Sequence, residues 1–392
     1  MKEKTDFPER LSAPAGLYIH VPFCRLRCPY CDFFSTTDLT LVSLWQKSIV
    51  EEAKMWSEKF PFFDTLYFGG GTPSLLKIKE LAWLLQELRK IFSFSPELEL
   101  TIETNPEDVF PSWMKQLQSL GFNRISLGIQ SLSDEDLSFL GRHHTAAMSE
   151  RALQETKKVG FKNVSVDLIY GFAGQQKESW EKTLLRLLKN KPEHISCYQL
   201  TIKEKTVFSR RQKKGEKLSA TEEKQEELFL LTSDVLRSHG YLHYEVSNFA
   251  AGEDFQSRHN LKYWRRQPYL GLGPGAHSFL RNKRWWNVKQ VKKYCQMVLH
   301  GQLPVAYTEI LSGQQEKLEK IFLGLRTSDG IPANLVSGFS EENFSLLEKK
   351  CFLQRKGDRI VPTEKGYLVC DVLPLWLSGD WPVLTLPPLP EK

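Results

Sequence analysis

Short β-rich runs alternate with longer runs of helical apolar spacing over the first 200 residues, and this alternation limits the fold more than any other feature. Leu17–Val21, Thr65–Phe68, Leu98–Glu103, Arg124–Gln130, Asn163–Ile169 and Ile195–Leu200 read as strands. Between them Leu39–Lys59, Ile78–Ile91, Met148–Val159 and Lys177–Lys189 read as helices, and Gly160 is placed to stop the third. Strands that alternate with helices build a parallel sheet with the helices outside. Periodicity alone does not settle whether such a sheet closes. The polar residues bear on it: Gly70, Glu103, Gln130 and Asp167 fall at or near the C-terminal ends of successive strands. That end carries the chemistry of βα barrels, whereas an open doubly wound sheet concentrates its site at one switch point. The pattern predicts an α/β chain of about six βα units that form a TIM-like barrel or an incomplete one, a partial (β/α)6 barrel.

After about residue 205 the pattern changes. A basic loop, Arg210-Arg211-Gln212-Lys213-Lys214, reads as a solvated surface, and Glu222–His239 as a helix. A dense aromatic and glycine-rich stretch runs from Tyr241 to Trp286. From Tyr307 a second pattern begins: Gln314–Leu325, a turn at Asp329-Gly330-Ile331-Pro332, Phe344–Cys351, and a hairpin through Gly357-Asp358-Arg359. Helices followed by a short hairpin suggest a small α+β, winged-helix-like domain. The expected division is an N-terminal extension (1–15), the barrel (16–240), the aromatic segment (241–305), the small domain (306–385) and a tail (386–392), with the Pro-rich end, Pro382 to Lys392, expected to fray.

The net charge of +6 is scattered, too weak to argue nucleic-acid binding, and compatible with an anionic ligand or transient peripheral contact with an acidic membrane surface. No run of about 18 uncharged apolar residues occurs, and Met1 to Pro14 lacks a secretory signal's basic start and apolar core. A cytoplasmic protein is the default expectation.

Three of the seven cysteines crowd into His20-Val21-Pro22-Phe23-Cys24-Arg25-Leu26-Arg27-Cys28-Pro29-Tyr30-Cys31-Asp32-Phe33. Cys197, Cys295, Cys351 and Cys370 lie among apolar neighbours and read as buried thiols. Three thiolates on one loop, spaced C-x3-C-x2-C, can ligate three irons of a cubane and leave the fourth iron open to another ligand. Arg25 and Arg27 are placed to lower the thiol pKa values. The rival is structural zinc, which usually needs a second C-x2-C pair; none exists, though His20 offers a fourth ligand. Ordinary buried thiols are the third reading.

This stretch closely resembles the signature of the radical S-adenosylmethionine (SAM) superfamily. The resemblance implies a [4Fe–4S] cluster on Cys24, Cys28 and Cys31, whose open iron is chelated by SAM, with Tyr30 near the adenine. Gly69-Gly70-Gly71-Thr72-Pro73 is not a dinucleotide fingerprint, and a glycine run alone is often a plain turn. Beside the cysteine loop it resembles the superfamily's GGGTP motif, which contacts the SAM amino group. The resemblance assigns Tyr18, Tyr30, Gly70, Gly71, Thr72, Glu103, Gln130, Arg142 and Asp167 to the SAM pocket.

Tyr18-Ile19-His20-Val21-Pro22-Phe23-Cys24, Phe68-Gly69-Gly70-Gly71-Thr72-Pro73-Ser74 and Tyr244-Glu245-Val246-Ser247-Asn248-Phe249 are similar to the coproporphyrinogen III oxidase-like group, and the likeness spans about residues 16 to 380. Two branches matter. The oxygen-independent coproporphyrinogen III dehydrogenases carry a fourth cysteine two residues after the third, where this chain has Phe33. The HemW heme chaperones carry H-N-x-x-Y-W, which His259-Asn260-Leu261-Lys262-Tyr263-Trp264 matches in full. That resemblance implies heme binding by His259, Asn260, Tyr263 and Trp264, with His259 a candidate ligand of the heme iron, and transfer of heme to an acceptor such as a respiratory hemoprotein, with a reductant protein serving the cluster. His277 in Gly273-Pro274-Gly275-Ala276-His277-Ser278 is a second candidate, and Lys262, Arg265 and Arg266 are candidate partners for propionates. Trp285-Trp286 reads as core or interface packing. One departure stands out: Lys203-Glu204-Lys205-Thr206 replaces the Glu and Gly-Thr turn usual in the group. The alternatives to a chaperone are the radical dehydrogenase and a structural zinc-binding module.

Overall fold

The computed structural model describes residues 14–378; most of the expected N-terminal extension and the Pro-rich tail lie outside the described residues. Six strands follow the predicted alternation: β1 (Ala15–Val21), β2 (Phe62–Gly70), β3 (Ser93–Thr104), β4 (Arg124–Gln130), β5 (Val164–Tyr170) and β6 (His194–Gln199). They pair in parallel, each with the next. Helices Val42–Trp56, Ile78–Ile91, Pro111–Ser119, Ala146–Val159, Lys177–Leu188 and Glu222–Ser238 cover the outside. Alternation along the strands sorts the faces. On β1, Leu17, Ile19 and Val21 join the outer hydrophobic core, and Tyr18 and His20 face the other way. Thr145 caps Ala146–Val159 by accepting from the Met148 amide, and Gly160 ends that helix at φ +111°, as its position predicts.

The aromatic segment adds to the same sheet. β7 (Leu242–Glu245) and β8 (Asn248–Ala250) extend it beyond β6, while β9 (Tyr269–Leu272) pairs in parallel with β1. β10 (His277–Leu280), β11 (Lys283–Asn287) and β12 (Val305–Ile310) follow as an antiparallel extension. The order is β12-β11-β10-β9-β1-β2-β3-β4-β5-β6-β8-β7, so β7 and β12 are edges and the barrel is incomplete. Trp285 on β11 stacks on Trp56 at 4.9 Å and sits in the barrel's own core.

A second core, with Ile321, Phe344, Leu347 and Trp376, lies under helices Gly313–Gly324, Glu341–Lys349 and Leu373–Ser378. Its sheet is the hairpin of β14 (Leu353–Lys356) and β15 (Arg359–Pro362), joined by β13 (Ile331–Pro332). This is a winged-helix-like arrangement. Ile331 and Pro332, expected in a turn, form that third strand.

Candidate functional site

The cysteine loop leaves the C-terminal end of β1 and is pinned there by backbone. Gly71 N donates to Val21 O at 2.8 Å and Thr72 N to Phe23 O at 2.7 Å. The glycines make this seating possible. A Cβ on Gly71 would lie 2.7 Å from Phe23 O, and Gly70 has φ +112° with its missing Cβ facing the His20 ring. Only glycine adopts that backbone without strain and leaves room for the ring.

Cys24, Cys28 and Cys31 line one cavity of about 450 Å3 at this end of the barrel. Thr72 Oγ1 donates to Cys24 Sγ at 3.5 Å, and Arg142 Nη1 to Cys28 Sγ at 3.4 Å. Arg142 Nη2 also donates to Asn105 Oδ1 at 2.8 Å and to Gly128 O at 3.1 Å. Burial works against its charge, but Tyr30, Cys28 and Glu107 around it hold the guanidinium firmly protonated. The expected role of Arg25 and Arg27 is corrected here. Arg25 pairs with Asp108, and burial dominates the thiols, raising Cys24 and pushing Cys31 up to about 11, with Arg27 only a weak counterweight.

Gly70, Gly71, Thr72, Tyr30, Glu103, Gln130, Arg142 and Asp167 share the cavity wall. Glu103 accepts from Gly70 N and from the Tyr67 hydroxyl, both at 3.0 Å. Burial, then the charge of Asp167, pushes it up to about 7. Asp167 is raised by burial and accepts from Ser126 Oγ at 3.0 Å. Gln130 holds φ +67° at the end of β4, a strained backbone of the kind that gathers at functional sites. Tyr30 packs against Phe208. Tyr18 is not on the wall; it stacks on Tyr67, which is. Sequence reasoning missed Tyr67, Asn105, Ser126 and Tyr198. They occupy inward-facing or strand-end positions, so the strand-end placement that marked Glu103 and Asp167, with alternation along the strands, was the available signal.

The loop that departs from its group keeps a glycine-like turn. Lys205 adopts φ +69°, and Thr206 caps helix Val207–Lys213 by accepting from Ser209 N at 3.0 Å. Phe208 N then donates to Pro29 O, tying that helix to the cysteine loop.

The H-N-x-x-Y-W residues lie on helix Arg258–Trp264. His259 is 1% exposed, with Nδ1 2.8 Å from Thr65 Oγ1 and Nε2 2.8 Å from the Tyr263 hydroxyl. Neither nitrogen is free in this conformation, so ligation of a heme iron by His259 requires one of these bonds to break. Asn260 reaches the cavity, and Trp264 packs near Tyr244 and Leu261. The three expected propionate partners are already engaged: Lys262 with Asp64, Arg265 with Asp329, and Arg266 with Glu319. His20 cannot complete a zinc set as placed, because Nε2 bonds Phe34 O at 2.9 Å and Nδ1 lies 3.3 Å from the Tyr18 hydroxyl. Among the described residues no three of His, Cys, Asp and Glu converge on one metal position. A cubane asks for something else: three thiolates on three different irons beside an open polar cavity. The three cavity-facing thiols, the glycine cradle and the donors to Cys24 and Cys28 fit that group.

The radical SAM superfamily profile matches residues 18–187. The coproporphyrinogen III oxidase (HemN) of Escherichia coli has the same fold, with a TM-score of 0.80 over 96% of this chain and 92% of that one, at 22% identity. Fold and site thus define a radical SAM protein. Heme chaperone HemW of Mycobacterium tuberculosis is 34% identical over 374 residues, 93% of this chain and 95% of the relative. That of Bacillus subtilis is 33% identical over 321 residues, 80% of this chain and 84% of the relative. The chain belongs to the HemW family.

Proposed function

We propose that this protein is a heme chaperone: it binds heme and passes it to an acceptor protein, and it carries a SAM-coordinated [4Fe–4S] cluster. The observation that carries the reading is the likeness to proteins named heme chaperones along nearly the whole chain, together with Phe33 standing two residues beyond the third cysteine. Cys24, Cys28 and Cys31 would hold the cluster, and Glu103, Gly70, Gln130, Arg142 and Asp167 would bind and orient SAM beside it. When bound, the cluster and SAM supply one-electron reduction chemistry. Burial keeps Cys24 and Cys31 protonated until a metal displaces the protons, so loading is coupled to proton release. Arg142 sets a fixed positive charge against Cys28, and Glu103, near neutral pH, can hold or give up a proton toward an ammonium group in the cavity.

The cytoplasm is the proposed location and a respiratory hemoprotein the proposed acceptor, with a reductant protein as the electron source. The described helices include none long and apolar enough to cross a membrane. The test is anaerobic incubation of cluster-loaded protein with SAM, reductant and coproporphyrinogen III. The reading expects no decarboxylated product. Multiple turnovers would assign the chain to the dehydrogenase branch.

A further inference from the structure

A chaperone has to present its cargo, and neither the barrel cavity nor the H-N-x-x-Y-W helix offers it an open place. The barrel cavity of about 450 Å3 is room for one ligand of moderate size and is lined by the cluster cysteines. His259 is closed in by Thr65 and Tyr263. Of the nine histidines, His143 and His277 have no ring nitrogen in a hydrogen bond among the described residues; the other seven are bonded through at least one. Among the described residues no aromatic ring stacks on His143, whereas His277 has a platform.

His277 on β10 pairs with Trp286 on β11, which pairs with Tyr307 on β12. The three rings stack across the strands, at 5.3 Å and 24° and then at 4.7 Å and 30°. Tyr307 is 55% exposed, and the His277 side chain is open to solvent. One step along the strands, Arg284 pairs with Glu309 and Glu319, closing that part of the face with helix Gly313–Gly324. Among the described residues no strand pairs beyond β12, and the row is exposed at His277 and Tyr307 with Trp286 half-buried between them. Partial enclosure of the ring, then Lys289 and Arg284, lowers the His277 pKa. Lys289 has no ion pair among the described residues and lies alongside Gly275. The row adjoins the cysteine loop: Phe34, three residues after Cys31, abuts Gly275 and stacks on His20.

We propose that the row His277–Trp286–Tyr307 is a docking ledge for heme, with the His277 imidazole as an iron ligand, the ring edges of Trp286 and Tyr307 turned to the macrocycle face, and Lys289 facing a propionate. The chemistry is that of a flat apolar disc with a metal at its centre and carboxylates on one edge. The ledge offers an imidazole, the edges of two aromatic rings and an ammonium with no ion pair among the described residues, in that same combination. The inference rests on the chaperone reading.

The experiment is a hemin titration of the full-length, cluster-loaded protein, followed by Soret absorption and by the spin state of the ferric iron, on the wild type and on His277→Gly, Trp286→Ala, His143→Ala and His259→Ala, with circular dichroism as the control for folding. The ledge predicts that His277→Gly changes the ligand spectrum and weakens binding at least about tenfold, and that added imidazole restores the spectrum. It predicts that Trp286→Ala weakens binding about tenfold with the ligand spectrum unchanged. His143→Ala leaves both alone. Saturable wild-type binding that His277→Gly does not alter would overturn the ledge and leave the chaperone reading standing, and loss of the iron ligand in His259→Ala alone would move the site to helix Arg258–Trp264. Absence of saturable binding in the wild type would remove the chaperone reading and the ledge with it.

Discussion

His259 Nε2 and the Tyr263 hydroxyl lie 2.8 Å apart, one helical turn from each other, and the imidazole's other nitrogen meets Thr65 on β2 at the same distance. The ring also stacks on Tyr67 at 5.2 Å. The motif's histidine therefore bolts helix Arg258–Trp264 onto the barrel strands. His259→Ala leaves two buried hydroxyls without their partner and removes a packed ring, costing about 2–4 kcal/mol, read by urea unfolding.

Acid should find the same residue. Burial, then Lys262, lowers the His259 pKa to about 3, and burial lowers His20 to about 4 and His243 to about 3. The unfolded chain takes up these protons near pH 6.5 and the folded chain refuses them. The stability tied to neutral imidazole is complete above pH 6.5 and is lost as the pH falls toward 3. His259→Ala should have a shallower loss of stability below pH 6.5 than the wild type, by about one proton's slope.

Glu52 titrates in the opposite sense. It is enclosed by the Tyr294 hydroxyl at 2.5 Å, Asn287 Nδ2 at 2.6 Å and Gly273 N at 2.9 Å, and burial, overcoming these donors, pushes it up to about 7. The folded chain holds a proton that the unfolded chain has released above about 4.5. Its contribution is therefore full below that pH and lost as the pH rises toward 7, a change of roughly 3 kcal/mol. Glu52→Gln should flatten this limb, whatever it does to stability overall. Between pH 4.5 and 6.5 the histidines and Glu52 pull against each other, so the single variants are needed to separate them.

Gly70→Ala tests the seating of the cysteine loop. The added methyl meets the His20 ring at a backbone φ of +112°. The expected result is a loss of about 2 kcal/mol or more in stability and reduced iron and acid-labile sulfide after anaerobic reconstitution. Full incorporation with unchanged stability would show that the glycine turn does not position the loop.

Arg142→Met tests the charge beside Cys28. Removing the guanidinium takes away a donor to the sulfur and to Asn105. Reduction adds negative charge to the cluster, so loss of this cation should move its midpoint potential to more negative values in an EPR-monitored titration.

Much of this was legible in the sequence. The six parallel strands, the Gly160 stop and the cysteine loop beside a glycine turn all follow from local pattern, because each is fixed by neighbours in the chain. The pairing of Arg25 with Asp108, and of Lys262 with Asp64, joins residues far apart in sequence and carries no local mark. The motif marks His259 as a candidate ligand but carries no sign of what helix Arg258–Trp264 packs against; Thr65 and Tyr67 supply that contact. The aromatic stretch hid β9 to β11, where glycines and tight turns blur the alternation that marked β1 to β6. Trp285 and Trp286 read alike, and only the pleat separates a core ring from an exposed one.

The most direct test of the chaperone reading is transfer. Full-length protein carrying its cluster and one equivalent of heme is mixed with an apo-hemoprotein of the respiratory chain, and the acceptor's spectrum is followed against the same mixture with apomyoglobin, a passive scavenger. The account predicts transfer that speeds up with acceptor concentration and outruns the passive loss of heme. A rate equal to passive loss at every acceptor concentration would contradict it.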